Sequence, residues 1–230
     1  MSRIILKISG EALKNNNENV SNEKLNIVFK TIKLLQNDGH KIGIVIGGGN
    51  FFRGREHNDM NKVTADTIGM LGTIMNALYV KDYLEKQNIK VKISTPFNFP
   101  NLIDNYSNEE LLSMYEDNCI IIFGGGVGKS GYSTDSGVVL AAKTLNSSLI
   151  IKMTNVDGVY DSDPKLNKDA IKYDKVTYKD VLEKGLKVMD EYAIKECMKN
   201  NIKILVMNFN KYESILDYFD NKEIGTVIGD

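Results

Sequence analysis

Two lysines interrupt hydrophobic runs in which a lysine is costly: Lys7 in "RIILKIS" and Lys152 in "LIIKM". A buried ammonium group needs an anion to offset its desolvation, unless the side chain snorkels out from a strand end. One such lysine decides nothing, but two at corresponding places point to cations facing a transferring phosphoryl group. Glycine supports the same chemistry. Ser9-Gly10, Gly47-Gly48-Gly49 and Gly124-Gly125-Gly126-Val127-Gly128 each follow an apolar run. Tight strand-to-helix turns use glycine for steric reasons alone. Three of them on one sheet edge bring backbone N–H groups close to an anion, and a following helix N-terminus adds its dipole. The ligand implied is large and polyanionic. Asp135, directly after the third glycine loop, is either the N-cap of its helix or a carboxylate that holds both lysines in place.

The third loop also contains Gly128-Lys129-Ser130, which looks like the end of a P-loop. That motif needs a glycine five residues before the Gly-Lys pair, and position 123 is Phe. Arg53, in "GGGNFFRG", could make bidentate phosphate contacts or be a surface charge. Asp66 is the only acid between Met60 and Lys81. At the start of an apolar helix it serves either as a dipole partner or as an acceptor for ligand hydroxyls. His40 and His57 sit in polar turns without ligand-like spacing and are expected at the surface. The sequence shows no Cys/His metal cluster and no nucleophile motif, which leaves hydrolysis through a covalent intermediate unsupported.

Apolar periodicity places these residues on elements. "RIILKIS" reads as a buried strand followed by Gly10. Between Ser21 and Asp38, Leu25, Val28, Phe29, Ile32 and Leu35 recur at helical spacing, with Ser21 as N-cap and Gly39 just past the end. "KIGIVIGGG" is the next strand and turn. Val63 to Lys86 reads as a long helix, apolar on most of its surface and so expected to be buried. "KVKIST" is a strand ended by Pro96, and Ser107 with Glu110 forms a capping-box pair. "CIIIF" is a strand, Asp135 to Asn146 a helix, and "LIIKM" a strand followed by Asp157-Gly158, a hairpin signal. Two further helices, a strand "IKILVMNF", a helix "ESILDYF" and a short strand "GTVI" complete the chain. Continuous apolar strands alternating with helices predict a mostly parallel sheet covered on both faces. The expectation is one α/β domain over residues 1–230 with two lobes, its ligands beyond the carboxyl ends of the strands.

Composition excludes several classes. With 230 residues, 42% hydrophobic and 26% charged, the chain suits an ordinary soluble domain. A formal net charge of −1 sets up no global field to draw nucleic acid or anionic lipid. Cys119 in a strand and Cys197 in a helix read as small buried hydrophobes in a reducing compartment. "MSRIILKISG" has neither a signal-peptide nor a transit pattern. No apolar run approaches the roughly 20 residues that span a bilayer. A cytoplasmic protein without membrane or nucleic-acid partners is expected.

Taken together, the motifs resemble one family. "KISGEAL", "IGGGNFFRG", "MLGTIMNAL", "STDS", "TNVDGVYDSDP" and "LKVMD" are similar to those of the bacterial UMP kinases (uridylate kinases) within the amino acid kinase family. The similarity runs from Lys7 to the final "GTVI". It implies a three-layer α/β/α sandwich, unrelated to P-loop kinases, that transfers the γ-phosphoryl group of ATP to UMP with Mg2+ held mainly by the ATP phosphates. It implies a UMP-binding lobe over about residues 1–145 and an ATP-binding lobe over about 146–230. Carried over to this chain, Lys7, Ile8, Ser9 and Gly10 would bind ATP phosphates with Gly49 and Arg53, while Thr154, Tyr160 and Asp163 would line the adenine and ribose site. Gly48, Asp66 and the loop Val127, Gly128, Lys129, Ser130, Gly131, Tyr132, Ser133 and Thr134 would bind UMP. Lys7 and Lys152 would stabilise the transferring group, and Asp135 would organise them.

On this resemblance the Gly-Lys-Ser triplet is a coincidence inside an acceptor loop. Relatives usually read Gly-Thr-Gly-Asn-Pro-aromatic where this chain has Gly126-Val127-Gly128-Lys129-Ser130-Gly131, and Lys129 would offer the UMP phosphate a cation that Asn does not. The resemblance also implies a homohexamer inhibited by UTP. It does not carry GTP activation to this chain, whose corresponding segment reads "LKNNNENVSN". Two rivals remain at this level: a kinase of another small acid, such as an amino-acid carboxylate, on the same fold, and a non-catalytic nucleotide-binding protein. The first would lack the acid at Asp66, and the second could lose one of Lys7, Asp135 or Lys152.

Overall fold

The computed structural model describes residues 1–57, 59–164 and 166–230. Among these residues the chain runs through β1 (Arg3–Ile8), α1 (Asn22–Asn37), β2 (Lys41–Ile46), α2 (Lys62–Lys86), β3 (Val91–Ser94), α3 (Asn108–Glu116) and β4 (Ile120–Phe123). It continues through α4 (Thr134–Thr144), β5 (Leu149–Thr154), β6 (Val159–Tyr160), β7 (Lys172–Tyr173) and β8 (Lys175–Val176). It ends with α5 (Tyr178–Glu183), α6 (Glu191–Lys199), β9 (Lys203–Asn208), a 3-10 stretch (Phe209–Tyr218) and β10 (Thr226–Ile228). Among the described residues eight strands form one sheet in the order β3-β4-β2-β1-β5-β9-β10-β8, with β6 and β7 paired apart from it. The pairs from β3 across to β9 are parallel, and β10 runs antiparallel to β9.

Both faces of the sheet are covered, which is why its central strands are apolar without alternation. Ile4, Leu6 and Ile8 of β1 pack with Leu25 and Ile32 of α1 and Val80 and Leu84 of α2. On the other face Ile5, Val45 and Ile150 pack with Val138 of α4 and Ile194 of α6. Three layers result. Because β1, β2, β4 and β5 are parallel, their carboxyl ends share one edge, and the three glycine turns lie beyond it.

Capping starts the helices. Ser107 and Glu110 form the expected capping box on α3, and Asn61 caps α2 by accepting from the Val63 and Thr64 N–H groups. Ser21 holds the N-cap position of α1, although its hydroxyl accepts no capping bond.

Four expectations are corrected. The long helix α2 is not buried all round: Leu71, Met75, Leu78 and Tyr79 are 43–50% exposed, because only the side bearing Ile74, Ala77, Val80 and Leu84 meets the sheet. The segment "ESILDYF" belongs to the 3-10 stretch rather than an α-helix, and the backbone of that stretch breaks at Lys211 (φ −100°, ψ 32°). Asp157-Gly158 does not close a hairpin on β5. Both edges of β5 are taken by β1 and β9, so β6 pairs with β7 instead. His40 is buried, not at the surface: it accepts from the Ser2 N–H, contacts Asp38 and stacks on Phe219 at 4.0 Å. His57 is exposed, stacked on Phe52 at 4.7 Å.

Candidate active site

Lys7 and Lys152 are register partners on the neighbouring strands β1 and β5, so their side chains leave the sheet on the same face. Helix α4 covers that face. Its N-cap is Ser133, whose hydroxyl accepts from the Asp135 N–H at 2.9 Å. Capping is therefore not the role of Asp135. From the first turn of α4 its carboxylate reaches Lys7 Nζ at 3.1 Å, with the two side chains 17% and 11% exposed. Lys152 donates to the Val188 carbonyl.

The charges are interdependent. Burial alone would raise the Asp135 carboxyl, but the ammonium charges of Lys7 and Lys152 and the Asp190 N–H outweigh it and hold it below the usual carboxylate range. Burial and the charge of Lys7 push Lys152 down to about 8, against the pull of Asp135 and Asp190. Two ammonium groups thus share a buried carboxylate. An anion arriving between them relieves their mutual repulsion.

One cavity opens beside each lysine. The larger, about 780 Å3, is lined by Lys7, Ser9, Gly10, Gly48, Gly49 and Arg53 on one side and by Asp66, Val127, Tyr132, Ser133 and Thr134 on the other. The smaller, about 410 Å3, is lined by Lys152, Thr154, Tyr160 and Asp163, with Leu186, Lys187 and Val188 opposite. Glycine is required where the turns cross. A Cβ on Gly10 would stand 2.5 Å from the Gly47 carbonyl oxygen, and one on Gly48 would stand 2.6 Å from that of Gly69.

Some expected residues fall elsewhere. The Ile8 side chain is fully buried in the core and lines neither cavity, because the strand alternation that exposes Lys7 turns Ile8 to the other face. Lys129 is exposed and lines not the larger cavity but an adjoining hollow of about 240 Å3, which shares Val127 and Tyr132 with it and also holds Lys143, Tyr192 and Glu196. The loop turns Ser130 and Gly131, rather than Lys129, towards Asp66. Ser130 Oγ donates to Asp66 Oδ2 at 2.5 Å and the Gly131 N–H donates to the same oxygen at 2.8 Å. These bonds hold Asp66 below the usual carboxylate range. Gly128 donates its N–H to the Gly125 carbonyl at 3.1 Å.

Several supporting residues carried no role in the sequence reading. Glu11 Oε1 accepts from Arg53 Nε at 3.1 Å and lies 2.7 Å from Nη2, while its other oxygen lies 2.6 Å from Lys14 Nζ. Asn76 and Asn50 exchange amide hydrogen bonds of 2.9 and 2.7 Å, and Asn76 also donates to the Gly47 carbonyl at 2.7 Å. Thr73 Oγ1 accepts from the Gly125 N–H at 2.7 Å. Helix α2 thus pins two of the three glycine turns. Asp190 caps α6 through Oδ1 and accepts from Ser133 Oγ on Oδ2. Thr73 and Asn76 were detectable as polar residues in an apolar helix. Among the described residues no group of three His, Cys, Asp or Glu side chains is placed to hold a metal ion.

The sequence and the fold both have known relatives. The amino acid kinase family model matches residues 2–208. The uridylate kinase of Fervidobacterium nodosum is 40% identical over 229 residues, which is 98% of this chain and 97% of that one. The UMP kinase of Bacillus anthracis superposes with a TM-score of 0.95 at 33% identity, covering 100% of this chain and 96% of the other. That of Ureaplasma parvum gives 0.92 at 34% identity, covering 100% and 99%.

Proposed function

The chain belongs to the amino acid kinase family, and we propose that within it this chain is a UMP kinase, transferring the γ-phosphoryl group of ATP to UMP to give UDP for pyrimidine nucleotide biosynthesis. The observation that carries the reading is the Lys7–Asp135–Lys152 cluster with a cavity of small-molecule size beside each lysine.

ATP lies with its base and ribose near Thr154, Tyr160 and Asp163, and with its phosphates towards Lys7, Ser9, Gly10, Gly49 and Arg53. Ile8 can contribute there only through its backbone. UMP lies in the larger cavity against Gly48, Asp66 and the loop before α4. The N-terminal residues to about 145 therefore carry the acceptor, and the remainder carries the donor's base.

The acceptor atom is a phosphate oxygen, already anionic at neutral pH, so the reaction needs no general base. The protein's task is in-line positioning and neutralisation of charge on the group in flight. Lys7 and Lys152 supply that charge, and Asp135 holds the ammonium groups without taking a proton. Asp135 and Glu11 are committed to cations of the chain, so Mg2+ would be held mainly by the phosphates of ATP and would supply further charge neutralisation there.

The exposed stripe Leu71, Met75, Leu78 and Tyr79 on α2 supports self-association. A homohexamer and inhibition by UTP follow from the resemblance. Among the described residues no helix is long and apolar enough to cross a membrane, and we place the enzyme in the cytoplasm with its nucleotides.

The test is a coupled ADP-release assay with UMP, CMP, dUMP and acetylglutamate as acceptors, with and without GTP and UTP. UMP should be the best acceptor. Absence of UDP formation would overturn the reading.

A further inference from the structure

The middle of the loop before α4 is tied down by a single carboxylate oxygen. Asp66 Oδ2 accepts both Ser130 Oγ, at 2.5 Å, and the Gly131 N–H, at 2.8 Å. No donor among the described residues reaches Oδ1, and Asp66 lines the larger cavity. The ends of the loop are fixed independently, Gly125 by Thr73 and Ser133 by Asp190. Ser130 is thus not needed to anchor the loop as a whole. Its contact instead sets which oxygen of Asp66 is free. It lies where this chain departs from the pattern expected of its relatives.

We propose that Ser130 is a positioning residue for the acceptor: it holds Asp66 by one oxygen so that the other stands as a single, oriented acceptor for one sugar hydroxyl of the acceptor nucleotide. This rests on the UMP kinase reading. A carboxylate with both oxygens free can take the two neighbouring hydroxyls of a ribose together. One held by Ser130 and Gly131 has both lone pairs of Oδ2 taken and keeps Oδ1 alone, on which the two hydroxyls would crowd, so that one takes the well-aligned bond and the other a poor one. The site therefore discriminates strongly against the loss of one of the two hydroxyls and weakly against the loss of the other.

The experiment compares UMP, 2′-deoxy-UMP and 3′-deoxy-UMP as acceptors for the full chain and for Ser130→Ala and Ser130→Thr. In the unmodified protein one deoxy nucleotide, and not the other, should show a raised acceptor KM. Ser130→Ala should raise the KM for UMP about fivefold, the effect of losing roughly one neutral hydrogen bond. Turnover and the ATP KM should stay within about twofold, and the discrimination between the two deoxy nucleotides should shrink. Ser130→Thr, which keeps the hydroxyl, should restore both. Equal penalties for the two deoxy nucleotides, or Ser130→Ala discrimination equal to that of the unmodified protein, would overturn the proposal while UDP is still made. If Ser130→Ala does not fold, Ser130→Cys, which keeps the size but donates only weakly to Asp66, decides it by the same loss of discrimination. Failure of the unmodified protein to make UDP would instead overturn the kinase reading itself.

Discussion

Lys7 and Lys152 stand side by side as register partners on β1 and β5, and Asp135 reaches Lys7 from α4 at 3.1 Å. Pairing in register fixes the spacing of the two ammonium groups by the sheet itself rather than by a loop. Repulsion between them, added to burial, is what brings Lys152 down to about 8 from its ordinary 10.5. On the proposed reading, a phosphoryl group entering the site would meet cations already desolvated and held in place, the condition under which electrostatic stabilisation is strongest.

The charge on Lys152 makes activity depend on pH. Its folded-state value is depressed, so the cation is present below about 8 and lost above it. Turnover should fall as pH rises through that value, and bound anionic nucleotides should move the midpoint upward by favouring the charged form. Profiles of kcat/KM and kcat separate the free enzyme from the complex. A profile flat well beyond that point would exclude Lys152 as the charge stabiliser.

Removing the side chain should show the same role directly. Lys152→Ala is expected to lower turnover by about 10² or more, typical of deleting one electrostatic stabiliser, and to abolish the alkaline limb. Near-normal turnover would exclude the assignment.

Asp135→Asn leaves Lys7 and Lys152 facing each other without their carboxylate. Loss of one partner from a buried ion pair costs about 3–5 kcal/mol, which urea denaturation would detect. The folded pKa of Asp135 lies below the ordinary 3.8, so its stabilisation is present above that value and is lost as pH falls through the folded value. The variant and the unmodified protein should therefore converge in strong acid. At neutral pH Lys152 should lose its proton more readily in the variant, moving the alkaline limb to lower pH. An unchanged limb would separate Asp135 from the lysines.

Lys129 is exposed and lines the hollow on the far side of Val127 and Tyr132 rather than the larger cavity itself. Lys129→Ala should leave the UMP KM within about twofold, the small effect of an exposed charge. A large rise confined to UMP would mean that the loop swings Lys129 inward when the acceptor binds.

Met75 and Leu78 are each 44% exposed on the outer face of α2. Met75→Glu together with Leu78→Glu places charge on the proposed contact between copies and should yield smaller species in size-exclusion chromatography with light scattering. An unchanged mass would put the contact elsewhere. The opposite face of α2 pins Gly47 and Gly125, so activity should be measured alongside the mass.

The chemistry was legible where residues are locally anomalous. An ammonium in an apolar strand and repeated glycines after strands stand out against their neighbours, and so Lys7, Lys152 and the three turns were found from the chain alone. His40 was misread for the complementary reason. Its neighbours in sequence are polar, and its burial comes from Phe219 and Ser2, far along the chain.

By itself the sequence determined the period and order of the main elements, and with them the parallel sheet and the edge that carries the glycine turns, because side-chain patterning is written locally; the short strands β6, β7 and β8 were not legible in it. It also marked the lysines and Asp135 as candidates for one site. Tertiary structure alone decided that Lys7 pairs with Lys152 in register, that Asp135 reaches Lys7, that Glu11 engages Arg53, and that Ser130 rather than Lys129 meets Asp66. Those relations join residues distant along the chain. They depend on strand register and helix placement, which follow from the packing of the whole core and not from any one segment.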